Sequence, residues 1–207
     1  MQSNSKNTIQ RLDPIYQLSR KLKTPLAVQK YLYTLQYNKK PELLSALSSI
    51  QQRRAHCLEG VFVAAAILEY HHFEPWCLSF ESQDGLDHCL FLFQNKKKLW
   101  GSIGKSRDRG LFGRPAQFKT IRQLVESYKA PYIDKTGRIT AWQVAHLDEV
   151  KSDWRRSSRN VWSIETHLLK LKHHKFLSSD KEYKKIKAEY LKMGPIPDQS
   201  HWWTPPK

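Results

Sequence analysis

The chain has 207 residues, 40% of them hydrophobic and 12% aromatic, enough to bury a full core as one domain with an extension or as two small domains. A formal net charge of +16 invites phosphate-bearing partners, since clustered lysine and arginine neutralise phosphates and release counterions. The basic residues are diffuse, however, and no arginine-rich tract, zinc-finger spacing or RNA-binding aromatic signature accompanies them, so nucleic acid is not an expected partner.

Asp13-Pro14 has the cap and first-turn chemistry that opens a helix, predicted to run through Leu22. Thr24-Pro25 repeats that signal for a second helix, Leu26 to Tyr37, and Pro41 to Gln52 reads as a third helical segment. From Cys57 to about Tyr70 the chain is apolar on nearly every side, the pattern of a buried helix. Pro75 stops it and the period changes to two. Strands are predicted at Trp76 to Phe80, Asp87 to Gln94 and Leu99 to Ile103, with turn chemistry at Gln83-Asp84-Gly85. The second strand is apolar on both faces, which places it in the middle of its sheet. Gly104 to Arg114 reads as a glycine-rich, charged loop. Gly104-Lys105-Ser106 matches the end of a phosphate-binding loop, but the first glycine of that motif would fall at Leu99, which excludes it. A helix from Phe118 to Tyr128 and a strand around Arg138 to Trp142 follow, while Val144 to Leu147 shows no clear period. Beyond Lys151 come a segment with Trp154, Trp162 and Leu168, a basic stretch with His173-His174, and a lysine-rich helix, Ser179 to Met193. A Trp/Pro-rich end closes the chain.

Three cysteines, Cys57, Cys77 and Cys89, are odd in number and widely spaced, so neither a disulfide framework nor a metal site is indicated, and no cofactor is expected. Cys77 and Cys89 read as core residues on strands. The polar stretch Met1 to Gln10 lacks the apolar centre of a signal peptide, and no apolar run approaches the ~20 residues needed to span a bilayer. A cytoplasmic protein with no membrane partner is expected.

Cys57 would sit in the first turn of the buried helix, with Arg53, Arg54 and His56 just upstream. Helix N-terminal N–H groups and nearby positive charge favour the thiolate that a nucleophile needs; the alternative is a small inert core residue. His88, on the central strand, is an imidazole that could hold the thiolate and protonate a leaving group, or else a satisfied core histidine.

Arg54-Ala55-His56-Cys57-Leu58-Glu59-Gly60 with Ala66-Ile67-Leu68, then Asp87-His88-Cys89-Leu90-Phe91, then Trp100-Gly101-Ser102-Ile103-Gly104-Lys105-Ser106, together resemble the transglutaminase-like superfamily. Within it they are similar to a group of small bacterial proteins, over about residues 25–140. The resemblance implies an α+β fold with a papain-like core, in which a helical N-terminal part and the Cys-bearing helix pack on a small antiparallel sheet. The domain would occupy residues 1–150, with a basic, mostly helical extension at 151–207. It implies a Cys57 thioester formed with His88 as base and acid, used for amide hydrolysis or acyl transfer to an amine on a protein or peptide substrate.

The superfamily's third member, an Asp shortly after a Trp on the next strand, is missing, because Trp100 is followed by Gly101-Ser102-Ile103-Gly104. Ser102, a backbone carbonyl or Asp108 would then orient His88, Asp87 being expected on the opposite face. The oxyanion would be met by the Cys57 N–H, with Gln51, six residues upstream, or Gln52 as a side-chain partner. Trp100, Lys105 and Arg107 are the substrate-binding candidates. Lys105, Arg107, Arg109 and Arg114 make a basic loop that, with the C-terminal tail, suits an acidic partner. The competing reading is a catalytically degenerate module that binds a protein or polyanion through this basic surface.

Overall fold

The computed structural model describes residues 13–85, 87–106, 109–133, 137–176 and 179–193. Its front end is helical: α1 (Pro14–Lys21), α2 (Pro25–Thr34) and α3 (Ala46–Gln52) precede α4 (Cys57–Leu68). The caps are those the sequence announces, with Asp13 Oδ1 accepting from the Ile15 N–H at 3.0 Å and Thr24 Oγ1 from the Ala27 N–H at 3.2 Å. Two helices are shorter than their periodicity suggests. α2 stops at Thr34 because Gln36–Tyr37 (β1) leaves the helix to pair in parallel with Arg54–Ala55 (β2). α3 starts only after the Ser45 cap, because the preceding backbone is bonded elsewhere: the Leu43 N–H donates to Asn160 Oδ1 and the Leu44 N–H to Glu59.

α4 is buried along its length beyond Cys57, as its all-round apolar pattern requires. It lies on a six-stranded sheet built from β3 (Trp76–Ser82), β4 (His88–Gln94), β5 (Trp100–Ile103), β6 (Arg114–Phe118), β7 (Ile139–His146) and β8 (His174–Lys175). The order is β6-β5-β4-β3-β7-β8, every pair antiparallel, which leaves β4 inside the sheet. Period-two alternation sorts the faces. Cys77, Cys89, Phe91, Phe93 and Ala145 meet α4, whereas Leu78, Phe80, Leu90 and Leu92 meet Leu124, Val125 and Tyr128 on the other side. Those last three come from α5 (Ile121–Glu126) and the turn into α6 (Lys129–Tyr132).

Sheet pairing overrides local pattern at two places. Arg114–Phe118, expected as the end of a loop and the start of a helix, is strand β6, and the helix waits for the Thr120 cap. β7 absorbs the stretch after Trp142 because β3 pairs with it as far as Trp76↔His146. In the basic stretch beyond α7, His174 enters β8, where it stays exposed and stacks on Trp142, and His173 just before it pairs with Glu81 at 2.7 Å.

Beyond residue 150 the chain is stitched into the same core. Trp154 is fully buried with its ring 6.0 Å from Phe62, and its carbonyl accepts the Ala46 N–H at 2.9 Å. Arg155 lies over the Trp154 ring and pairs with Glu69 and Asp148. α7 (Trp162–Lys170) adds Ile164 and Leu168 to the α4 side of the core. α8 (Asp180–Met193) is the lysine-rich helix, tied down by the ion pairs Lys129–Glu182 and Arg138–Asp180. Among the described residues no helix is long and apolar enough to cross a membrane.

Candidate active site

The entrance of α4 is built around a buried carboxylate. Glu59 is fully buried and accepts the His56 N–H at 2.7 Å, the Leu44 N–H at 2.8 Å and Asn38 Nδ2 at 3.0 Å. His56 answers as the cap, its Nδ1 accepting the Leu58 N–H at 3.2 Å, so the two form a reciprocal capping box with an imidazole in the usual place of a hydroxyl. Cys57 is thereby fixed as the first residue of the helix. His56 Nδ1 lies 4.0 Å from Cys57 Sγ, but its lone pair is engaged by Leu58, which makes it the cap of the helix. Burial works against a charged His56, yet the Cys57 hydrogen bond and the charges of Cys57, Glu59 and Glu165 outweigh it and hold the imidazole above its ordinary pKa.

His88, the first residue of β4, is buried, and its Nε2 sits 2.9 Å from the carbonyl oxygen of Leu111. A carbonyl can only accept, so Nε2 carries the proton and Nδ1 keeps its lone pair. Cys57 and His88 line one cleft of about 410 Å³, together with Ser106 and Leu111. That volume suits a side chain or a short peptide segment.

The loop that presents Leu111 is held from three sides. Gln29 of α2, fully buried, donates to the Gly104 carbonyl at 2.9 Å and accepts the N–H groups of Gly104 and Gly113 at 2.9 and 3.2 Å, closing both ends. The Arg114 guanidinium donates to the carbonyls of Gly110 and Phe112, both at 2.8 Å, and stacks over Tyr128, whose hydroxyl reaches Phe112 at 2.9 Å. Gly60 lets the loop approach α4, since a Cβ there would lie 2.8 Å from the Cβ of Lys105.

The thiol differs from expectation. The Cys89 thiol, hydrogen-bonded to it, and burial raise the Cys57 pKa, while His56 and His88 pull it down without prevailing. The upstream arginines do not help: Arg54 is turned to Glu42 at 2.6 Å and Arg53 is exposed in a left-handed cap. A raised pKa means less thiolate at a given pH, so removing its largest cause moves the titration acidward. Cys89→Ala is therefore expected to shift the pH–rate profile of Cys57 alkylation to lower pH and to raise the rate at pH 7. Site-resolved mass spectrometry after timed iodoacetamide exposure reads the profile; an unmoved midpoint would remove Cys89 from the account.

Of the residues named from the sequence, Cys57 and His88 are brought together and several others are not. Ser102 is buried away from the cleft, its hydroxyl on Tyr128 Oη at 2.7 Å and accepting the Arg114 N–H at 3.2 Å, so it supports the loop and does not reach His88. Gln51 is exposed on α3, which a left-handed residue and β2 separate from α4; the spacing to Cys57 does not bring it to the cleft. Trp100 opens β5 opposite Gln94 and packs against the α5 side of the sheet. Lys105 is buried with its ammonium on the Leu35 carbonyl, and desolvation lowers its pKa; with Arg114 also turned inward, the loop offers fewer free cations than its composition suggests. Arg107, Asp108 and the C-terminal tail lie outside the described residues. Sequence reasoning missed Gln29, Ser106 and Leu111. Leu111 acts through its backbone, which no residue type can announce, and Ser106 stood in the Gly104-Lys105-Ser106 tract as its one visible signal.

The chain matches the family model described as Vasohibin over residues 2–190. No curated protein matches the chain.

Proposed function

The chain belongs to the vasohibin family, whose members have a transglutaminase-like cysteine-protease fold, and from that premise we propose that it is a thiol hydrolase or acyltransferase acting on an amide bond through Cys57. The observation that carries this reading is a single one: Cys57 and His88 line the same cleft while the Leu111 carbonyl fixes His88 with its Nδ1 lone pair free. Nδ1 takes the thiol proton as Sγ attacks the substrate carbonyl. The oxyanion meets the Cys57 N–H, one of the first-turn donors that a helix leaves without an internal partner. His88 then returns the proton to the departing amine, leaving a thioester that water or a second amine opens with His88 again as base. Leu111 does the orienting that a triad carboxylate does elsewhere. Because the resting thiol is raised, His88 works as a base during attack and not as the partner of a standing ion pair.

The non-catalytic module keeps one observation in its favour, the raised Cys57 thiol. Acyl trapping separates the two. Incubation with a p-nitrophenyl ester, acid quench and intact-mass analysis are expected to give one acyl adduct, mapped to Cys57 and absent in Cys57→Ala; no adduct, or an adduct elsewhere, would favour the module. The narrower kinship with small bacterial members of the superfamily belongs to this proposal, supported by the Arg54 to Gly60 motif, as does a cytoplasmic location, supported by three free thiols. A peptide substrate is likewise proposed from the cleft volume.

A further inference from the structure

The chemistry proposed for Cys57 leaves a nucleophilic group of the same cleft unused, the thiol of Cys89. Cys89 follows His88 on β4, and alternation along the strand turns its side chain to the face that α4 covers. Ser79 stands opposite it on β3, and the Cys89 thiol donates to Ser79 Oγ at 3.6 Å. Cys57 reaches the same place as the first residue of α4, and the two thiols are hydrogen-bonded to each other. Both line the cleft, Cys57 partly exposed in it and Cys89 buried just behind. Cys77, the other thiol within hydrogen-bonding range of Cys89, is fully buried and does not line the cleft.

A thiol at position 89 works against the nucleophile, since its hydrogen bond is the largest cause of the raised Cys57 pKa. A small apolar residue would pack under α4 without that effect. What only a second thiol supplies is a partner for an oxidised Cys57. A sulfenic acid condenses with an adjacent thiol to a disulfide, whereas one without such a neighbour goes on to sulfinic acid, which thiols do not reverse. Geometry separates the two neighbours. Cys77 pairs with Phe91 and Ser79 with Cys89, so Cys77 and Cys89 are diagonal on one face of β3 and β4. Diagonal residues stand about 7–8 Å apart between Cα atoms, at or beyond the span of a disulfide. An oxidant entering the cleft also meets Cys57 before either strand cysteine.

We propose that Cys57 is an oxidation site for hydroperoxides and that Cys89 is its resolving thiol, the pair closing a reversible disulfide between α4 and β4 that blocks the nucleophile. The proposal rests on Cys57 being the reactive thiol of the cleft. In the first step the Cys57 proton passes to His88 Nδ1 and the sulfur attacks the terminal peroxide oxygen. The O–O bond breaks, and the alcohol, or water from hydrogen peroxide, leaves with that proton, giving the sulfenic acid of Cys57. In the second step the Cys89 sulfur attacks the Cys57 sulfur. The S–S bond forms, the S–O bond breaks, and the hydroxide leaves as water with the Cys89 proton. Two thiols give up two electrons and one hydroperoxide takes them. Exchange with a small thiol or a dithiol reductant reopens the bond and restores both cysteines.

Hydrogen peroxide added to the fully reduced chain tests this, with the remaining thiols blocked by N-ethylmaleimide and the peptides mapped without reduction. The wild type is expected to give one disulfide within the chain, Cys57–Cys89. Ester acylation of Cys57 should be lost in step with it and return after dithiothreitol. Cys77→Ala should behave as the wild type does. In Cys89→Ala, Cys57 should instead collect as sulfinic acid, and dithiothreitol should not restore acylation. Each variant is compared with its own acylation before oxidant, and the wild-type map decides the matter even where a variant fails to fold. A Cys77–Cys89 bond, a bond between two chains, a wild-type Cys57 that ends as sulfinic acid, or one that peroxide leaves as the thiol would overturn the resolving role. Failure of the thiol-hydrolase reading shows separately, as a reduced chain that gives no acyl adduct at Cys57 before any oxidant is added, and the disulfide map does not depend on that result.

Discussion

Replacing His88 with alanine is expected to slow acyl transfer to Cys57 by about 10²–10⁴-fold, the usual contribution of a positioned general base and acid. The expectation follows from the tautomer. Leu111 holds the proton on Nε2, so the only lone pair of the ring is on Nδ1, while the His56 lone pair is engaged by the Leu58 N–H. Ester acylation measured by stopped-flow, with thermal unfolding run alongside, separates chemistry from folding. His88→Gln sharpens the test, because its amide can still donate to Leu111 but cannot take a proton at neutral pH. A Gln variant that retains a rate within about threefold of wild type would mean that positioning, and not proton transfer, was the role of His88.

Replacing Glu59 with alanine is expected to destabilise the fold by about 3–5 kcal/mol, because it strands buried donors on His56, Leu44 and Asn38 at about 1–3 kcal/mol each, before relaxation. Domains of this size have about 5–15 kcal/mol in all, so the loss is a large share of the total. Glu59→Gln keeps one acceptor oxygen and should lose roughly half as much. Urea titration of the three proteins measures the series, with the midpoint falling in the order Glu, Gln, Ala. A midpoint unchanged in Glu59→Ala would show that the carboxylate is not the anchor of the α4 entrance, and with it the account of how Cys57 is fixed would fail.

The chain's large features can be read from its residues because they depend on local chemistry. The helix caps at Asp13 and Thr24, the all-round apolar α4 and the alternation of β4 each follow from a few neighbours, and so does the place of a cysteine at a helix entrance and a histidine on a strand. What could not be read depends on distant pairing. β6 exists because β5 offers it an edge, and β7 is long because β3 is long. Trp154 joins the core through Phe62, over 90 positions away, so a shift in composition at Lys151 does not mark a break in packing. The site divides the same way. Residue type flags Cys57 and His88; the carbonyl that meets His88 belongs to Leu111, a residue type that announces nothing of its backbone, in a loop held by a glutamine 82 positions earlier. Ser102 follows Trp100 where the superfamily has its Asp, and Gln51 lies six residues before Cys57, but strand facing and a left-handed Arg53 direct them elsewhere.

The central claim is that His88 acts on Cys57, and alkylation of the folded protein by iodoacetamide from pH 6 to 10, read cysteine by cysteine in wild type and His88→Ala, tests it most directly. With the raised thiol, the Cys57 rate should climb with pH through the neutral range instead of reaching a plateau in acid. At each pH it should exceed the rates of the buried Cys77 and Cys89, and it should fall several-fold in His88→Ala below pH 9. A Cys57 as inert as the other two, or one whose profile is the same with and without His88, would contradict the account.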